Sequence, residues 1–127
     1  MNIALWIVAG LLAVVFLGSG VTKLAQPKEK LVASSTGAAL DGYGAGAIKA
    51  IGTLEVLAAA GLILPAALTT ATVLVPLAAL GTALLMVGAA LTHLHRHEPQ
   101  AITVNIVLLA MAVFVAWGRF AAQPFTT

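Results

Sequence analysis

The sequence has no cysteine and is short of charge, with six Lys or Arg and four Asp or Glu in 127 residues. The first absence excludes disulfides, thiolate metal centres and any thiol–disulfide relay run by this chain, so a redox role must borrow its electron carrier. The second excludes a soluble globule. Soluble domains use about 25% charged residues to keep their surfaces wet, whereas here 8% are charged and 61% hydrophobic. Lipid-facing helices need no such cover, so the composition is that of an integral membrane protein. A formal net charge of +2 on six basic residues is an orientation signal, and no nucleic-acid partner is expected.

What the chain does have is apolar length. A helix needs about 20 apolar residues to cross the hydrocarbon, and four segments supply them: Asn2–Thr22, Ala47–Ala66, Leu68–Thr92 and Ala101–Gly118. The expected fold is all-α, one four-helix transmembrane domain over residues 1–127 in contact with the lipid bilayer. The first run is too long for a signal-peptide core and has no Lys or Arg before it, so it is expected to remain as a span. Pro76 is expected to kink the third span.

The short link around "LPAALT" makes the second and third spans antiparallel neighbours. The long first connection, residues 23–46, is expected to hold a short interfacial helix within "PKEKLVASSTGAAL", after Pro27, and a turn at "DGYGAG". The first and third connections share a side and carry Lys23, Lys28, Lys30, Lys49 and Arg96, against Arg119 on the other. The positive-inside rule then puts both connections in the cytoplasm and both termini outside, with Trp6 and Trp117 at the outer interface and Tyr43 at the inner one. The many small residues make a homodimer possible to build.

The second span is interrupted by Glu55, about 12 Å from its cytoplasmic end at 1.5 Å per residue. A carboxylate at that depth costs several kcal/mol if it faces lipid, so it is expected to face the bundle. Matching depths gives its neighbours: Lys23 with Ser19 four residues earlier on one face, Thr92 and His93 at the end of the third span, and Asn105 near the start of the fourth. The outer half offers no comparable set. Lys49 lies about 120° from Glu55 around the helix and is expected to snorkel to the headgroups.

Each of these residues also has a structural reading. A buried carboxyl can fix helix register, and Ser19 or Asn105 alone can serve as interhelical glue; the argument for a site is their convergence. In "THLHRHE", His93 and His97 share a face if the helix continues, a spacing compatible with a metal. With no cysteine and no second cluster to complete the ligands, no metal is assigned, and a His/Arg patch meeting phosphates is the simpler reading.

"GSGVTKL", "DGYGAGAIKAIGTLEVLAAAGLIL" and "GAALTHL" together resemble the DoxX-like family of small bacterial four-helix membrane proteins, in order and spacing over nearly the whole chain. The motif positions carried over are Gly18, Ser19, Lys23, Gly52, Glu55, Gly61 and His93, with Asn105. Relatives tend to have proline after the Gly-Tyr pair, where this chain has Gly44 and Ala45. The resemblance implies a bacterial inner-membrane protein. Founding members are linked to thiosulfate oxidation coupled to quinone, and another to a membrane oxidoreductase complex.

The leading expectation is therefore an enzyme or membrane subunit whose cytoplasmic-side pocket binds a lipophilic, quinone-like small molecule as substrate, with no intrinsic cofactor. Glu55, Lys23 and His93 would carry proton chemistry, Ser19, Thr92 and Asn105 would orient the ligand, and a soluble redox partner would dock on the cytoplasmic loops. Proton-coupled transport is a second class. Small multidrug exporters, however, carry their carboxylate in the first helix and have a short first connection. A non-catalytic scaffold is the third.

Overall fold

In the computed structural model of the chain, which describes residues 1–33 and 38–125, the apolar segments form long helices. Helix α1 (Asn2–Ala25) is followed by a short α2 (Lys28–Ala33) and a 3-10 turn (Ala38–Gly42); then come α3 (Ala45–Ala67), α4 (Leu74–His95) and α5 (Pro99–Trp117), the last extended by a π turn (Gly118–Ala122). Among the described residues, four helices are long and apolar enough to cross a membrane, so this is a multi-pass membrane protein with an all-α bundle. The expected helix after Pro27 is present as α2, and the part of that expectation covering residues 34–37 lies outside the described residues.

The long helices close a ring in which α1 packs on α3, α3 on α4, α4 on α5, and α5 on α1. Patterning explains which faces turn inward. Along α3 the buried residues Ile48, Gly52, Glu55, Ala59, Leu62 and Ala66 alternate steps of four and three, the seam that a left-handed bundle buries. Leu12, Phe16, Leu62, Val75 and Val115 fill the centre, while Ile3, Val14, Leu57, Leu84 and Val107 project outward. In lipid that outward apolar surface carries no penalty.

The α1–α3 contact is set by two glycines. A Cβ on Gly20 would lie 2.7 Å from the Gly52 carbonyl oxygen, and one on Gly52 would lie 3.0 Å from the Gly20 oxygen. The main chains thus touch where neither residue has a side chain. Lys49, one turn before Gly52, corrects the expectation that it snorkels to headgroups. Its Nζ donates to the carbonyls of Lys23, Leu24 and Gln26 at 2.9, 2.8 and 3.0 Å. It caps the carboxyl end of α1, where unpaired carbonyls and the helix dipole favour a cation.

Helix ends correct two further expectations. α3 stops at Ala67, because Thr69 adopts a left-handed φ of 50° and the amides of Thr69 and Thr70 turn back to Ala66 and Pro65. As a consequence α4 starts at Leu74 rather than Leu68, which puts Pro76 in its first turn, where its missing amide leaves no bond broken and no kink is needed. At the other end of α4, His97 takes φ 56°, with its amide on Leu94 and that of Glu98 on His93. The helix therefore ends at His95, and His93 and His97 do not stack on one face.

That turn folds Glu98 back onto the helix it follows. His93 Nδ1 is 3.0 Å from Glu98 Oε1, and Arg96 Nε donates to the same oxygen at 3.0 Å. The hydrogen bond from His93 is the main cause holding the Glu98 carboxyl below its ordinary 4.5, with Arg96 adding to it and partial burial opposing.

Two predictions come from this geometry. Gly20→Ala should drive α1 and α3 apart and lower stability in detergent by about 1–3 kcal/mol, whereas Gly18→Ala, whose Cβ would meet nothing within 4 Å, should leave unfolding unchanged; equal effects would remove the glycine contact as the determinant. For Glu98, a depressed folded pKa means the clamp contributes stability above the unfolded value and loses it as pH falls through the folded one. Carbon-13 NMR of the labelled side chain should give a midpoint below 4.5, and Glu98→Gln should abolish the accompanying loosening of the α4–α5 turn seen by hydrogen exchange.

Candidate functional site

Close approach at Gly20 and Gly52 brings the end of α1 against the middle of α3. Ser19 and Lys23, one turn apart on α1, both face α3 there. Lys23 Nζ lies 2.8 Å from Glu55 Oε1 and donates to Ser19 Oγ at 2.6 Å. Glu55 is 4% exposed and therefore faces the bundle, not lipid. An ammonium has three protons, and two of them are spoken for by Ser19 and Glu55. The third, with the Ser19 hydroxyl proton, has no acceptor among the described residues.

Across the bundle Thr92, in the last turns of α4, donates its hydroxyl proton to Gly88 O at 3.1 Å. Its oxygen is thereby left to accept from the Tyr43 hydroxyl, so Tyr43 is the donor in the short bond that joins them. This bond ties the segment before α3 to the end of α4. His93, beside Thr92, has its Nδ1 held by Glu98; that contact keeps the proton on Nδ1 and leaves Nε2 as the acceptor of the neutral ring.

Asn105, on the first turns of α5, is 7% exposed, and its amide nitrogen has no partner. Interchanging the amide oxygen and nitrogen does not remove the anomaly, since no bond to either atom is present among the described residues. A buried amide left unpaired costs about 1–3 kcal/mol.

These groups surround one cavity of about 340 Å³. Ser19, Lys23, Glu55, Thr92, His93 and Asn105 all line it, and so does Tyr43; the rest of the wall is apolar, including Phe16, Ile51, Leu85, Met86 and Leu108. Val15 and Leu84 border the cavity and are also 44% and 67% exposed on the bundle surface, so the space reaches the side that lipid covers. Apolar walls with a few convergent polar groups at this volume are the usual make-up of a small-molecule site, roughly 300–1,000 Å³.

All six residues selected from the sequence thus border a single space, although His93 bonds to Glu98 rather than to Glu55. Sequence reasoning missed Tyr43, which it left at the interface; a tyrosine in a Gly-rich turn gives no sign of which helix it will reach. It also missed Arg119. The half of the bundle away from Glu55 is not devoid of buried polar chemistry, because Arg119 is only 5% exposed there. The available signal was an arginine beside aromatics past the last span with no acidic residue near it in sequence. Among the described residues, no group of three His, Cys, Asp or Glu side chains comes together as a metal site.

Comparison with known proteins gives one relationship. No curated protein and no solved structure matches the chain. The family match covers residues 7–115, from the first turns of α1 to the last of α5, and so includes every residue around the cavity. With that extent of match, the chain belongs to the DoxX-like family.

Proposed function

We propose that the cavity between the four helices binds a lipophilic, quinone-like molecule, and that the protein works on it as an enzyme or as the membrane subunit of an oxidoreductase system. The observation that carries this reading is the unpartnered Asn105 amide, buried on the cavity wall facing a space also lined by Ser19, Lys23 and Glu55. Interhelical glue is bonded to another helix; this amide nitrogen has no partner among the described residues. A flat apolar ring with carbonyl oxygens would fill the apolar space and supply the acceptors that Asn105, the Ser19 hydroxyl and the third Lys23 proton lack. Glu55, ion-paired to Lys23, is the group that can exchange a proton with such a ligand at close range. Exposed Val15 and Leu84 give a ligand dissolved in the bilayer a lateral route.

In this reading the cavity lies toward the cytoplasm in a bacterial inner membrane. Support comes from the basic residues Lys28, Lys30 and Arg96, which occupy the helix ends nearest the cavity. A soluble redox partner would then meet the α1–α3 connection and the His-rich turn.

Two experiments test these statements. Asn105→Leu should raise the stability of the ligand-free protein, because it removes an unpaired buried amide worth about 1–3 kcal/mol, and weaken binding of a short-chain benzoquinone at least tenfold by thermal shift. Loss of stability with unchanged quinone response would make the amide structural and defeat the site; absence of any quinone response in the wild type, with no apolar molecule extracted from purified protein, would favour a scaffold. Because the chain has no cysteine, single thiols report orientation cleanly. In intact cells Thr70→Cys should react with an impermeant maleimide and Glu29→Cys should not, and the reverse labelling would invert the topology.

A further inference from the structure

At the end of the bundle opposite Glu55, a buried cation has no anionic partner among the described residues. Arg119 is the second residue of the π turn after α5, which is closed by the Gln123 amide on Gly118 O at 2.6 Å. Extra winding of this kind recurs at functional sites because it turns side chains off the regular helical face. Here it accompanies an arginine that is 5% exposed as a residue. One of its nitrogens donates to Gln123 O at 3.0 Å, and its central carbon lies 4.0 Å from the Phe125 ring centre. Phe125 is fixed in turn by an edge contact to Trp6 of α1 at 6.3 Å, and Gly118 lets the turn lie on Leu5.

A carbonyl and a ring face satisfy one edge and one face of the guanidinium. They do not neutralise it. The chain has four acidic side chains, Glu29, Asp41, Glu55 and Glu98, and none can serve. Three of them stand at the other end, in or beside the connections there, and Glu55 is twelve residues from the near end of α3, about 18 Å at 1.5 Å per residue. Beside the guanidinium is a second cavity of about 220 Å³, walled by Val73 and Pro76 at the start of α4 and by Phe120, Pro124 and Phe125. A buried charge left uncompensated in a membrane protein is costly, and the cost falls when an anion is taken up.

We propose that Arg119 and this cavity form an anion site for a phosphate-type oxyanion at the outer end of the bundle, held by the N–H edge of the guanidinium that Gln123 and Phe125 leave open. A planar fork suits two oxygens of one phosphate. The phosphate can belong to a lipid headgroup or be free in solution, and the site lies at the level where either can reach it. It is separate from the cavity at Glu55 and does not depend on what that cavity binds, though naming this end the outer one rests on the orientation proposed above.

The test uses full-length protein in mild detergent, with inorganic phosphate against chloride at matched ionic strength in one arm and phosphatidylglycerol against phosphatidylcholine nanodiscs in the other. A saturable rise in Tm with inorganic phosphate identifies a free anion; a rise only with phosphatidylglycerol, with that lipid retained in native mass spectra, identifies a headgroup. In both cases Arg119→Met should lose the response, while Arg119→Lys, which keeps charge but not the fork, should bind at least tenfold more weakly. Arg119→Met is expected to fold, since an apolar side chain of similar length replaces an unpaired charge. No response of the wild type to either probe, or an undiminished response in Arg119→Met, would overturn the proposal.

Discussion

The contact of two main chains at Gly20 and Gly52 governs what the Glu55 end of the bundle can contain. With the backbones that close, the Lys23 and Glu55 side chains meet without either having to stretch across a groove, and Ser19 joins them from the preceding turn. An ion pair inside a membrane protein repays its desolvation only with short, well-oriented contacts. Any side chain at either glycine would widen the groove and loosen those contacts. The packing of α1 on α3 and the chemistry bordering the cavity are therefore one feature seen at two scales.

Cations dominate this chain's polar interior, and each is handled differently. Lys23 faces a carboxylate, Lys49 faces three carbonyls at a helix end, and Arg119 has a ring face and a single carbonyl. The first two are compensated from within the chain. The third sits at the end that has no acidic side chain and is buried without an anionic partner among the described residues. Asn105 is its neutral counterpart, a buried polar group whose partner is also missing from the chain's own described residues. A buried polar group without a partner calls for an explanation, and Asn105, unlike the equally unpartnered Thr82 hydroxyl, borders a cavity in which a ligand could supply one.

Much of the architecture was legible because lipid enforces a simple code: apolar length reports spans, and a lone acid within a span reports the face that must turn inward. Depth counting then found Lys23, Ser19, Thr92, His93 and Asn105, since residues at equal depth on neighbouring antiparallel helices meet. What could not be read were contacts made by chain that is not helical in a regular way. Tyr43 depends on the path of the first connection, Arg119 on a π turn, and the end of α4 on a histidine in a left-handed conformation usually left to glycine. Lys49 was misjudged for a different reason. Its helical angle to Glu55 was correct, but its partner was the end of another helix, and a main-chain partner leaves no trace in residue identities.

The Lys49 contact also bears on how the sequence is free to drift. Every proton of its ammonium is committed to a backbone oxygen, so the interaction recognises only the place where α1 stops. Leu24 and Gln26 can be exchanged for other side chains without disturbing it. An arginine at position 49 would not be equivalent, because a flat fork cannot converge its donors on three oxygens grouped around one point. For this contact, constraint thus falls on a single lysine and on the length of the first helix, while Leu24 and Gln26 remain chemically unrestricted by it.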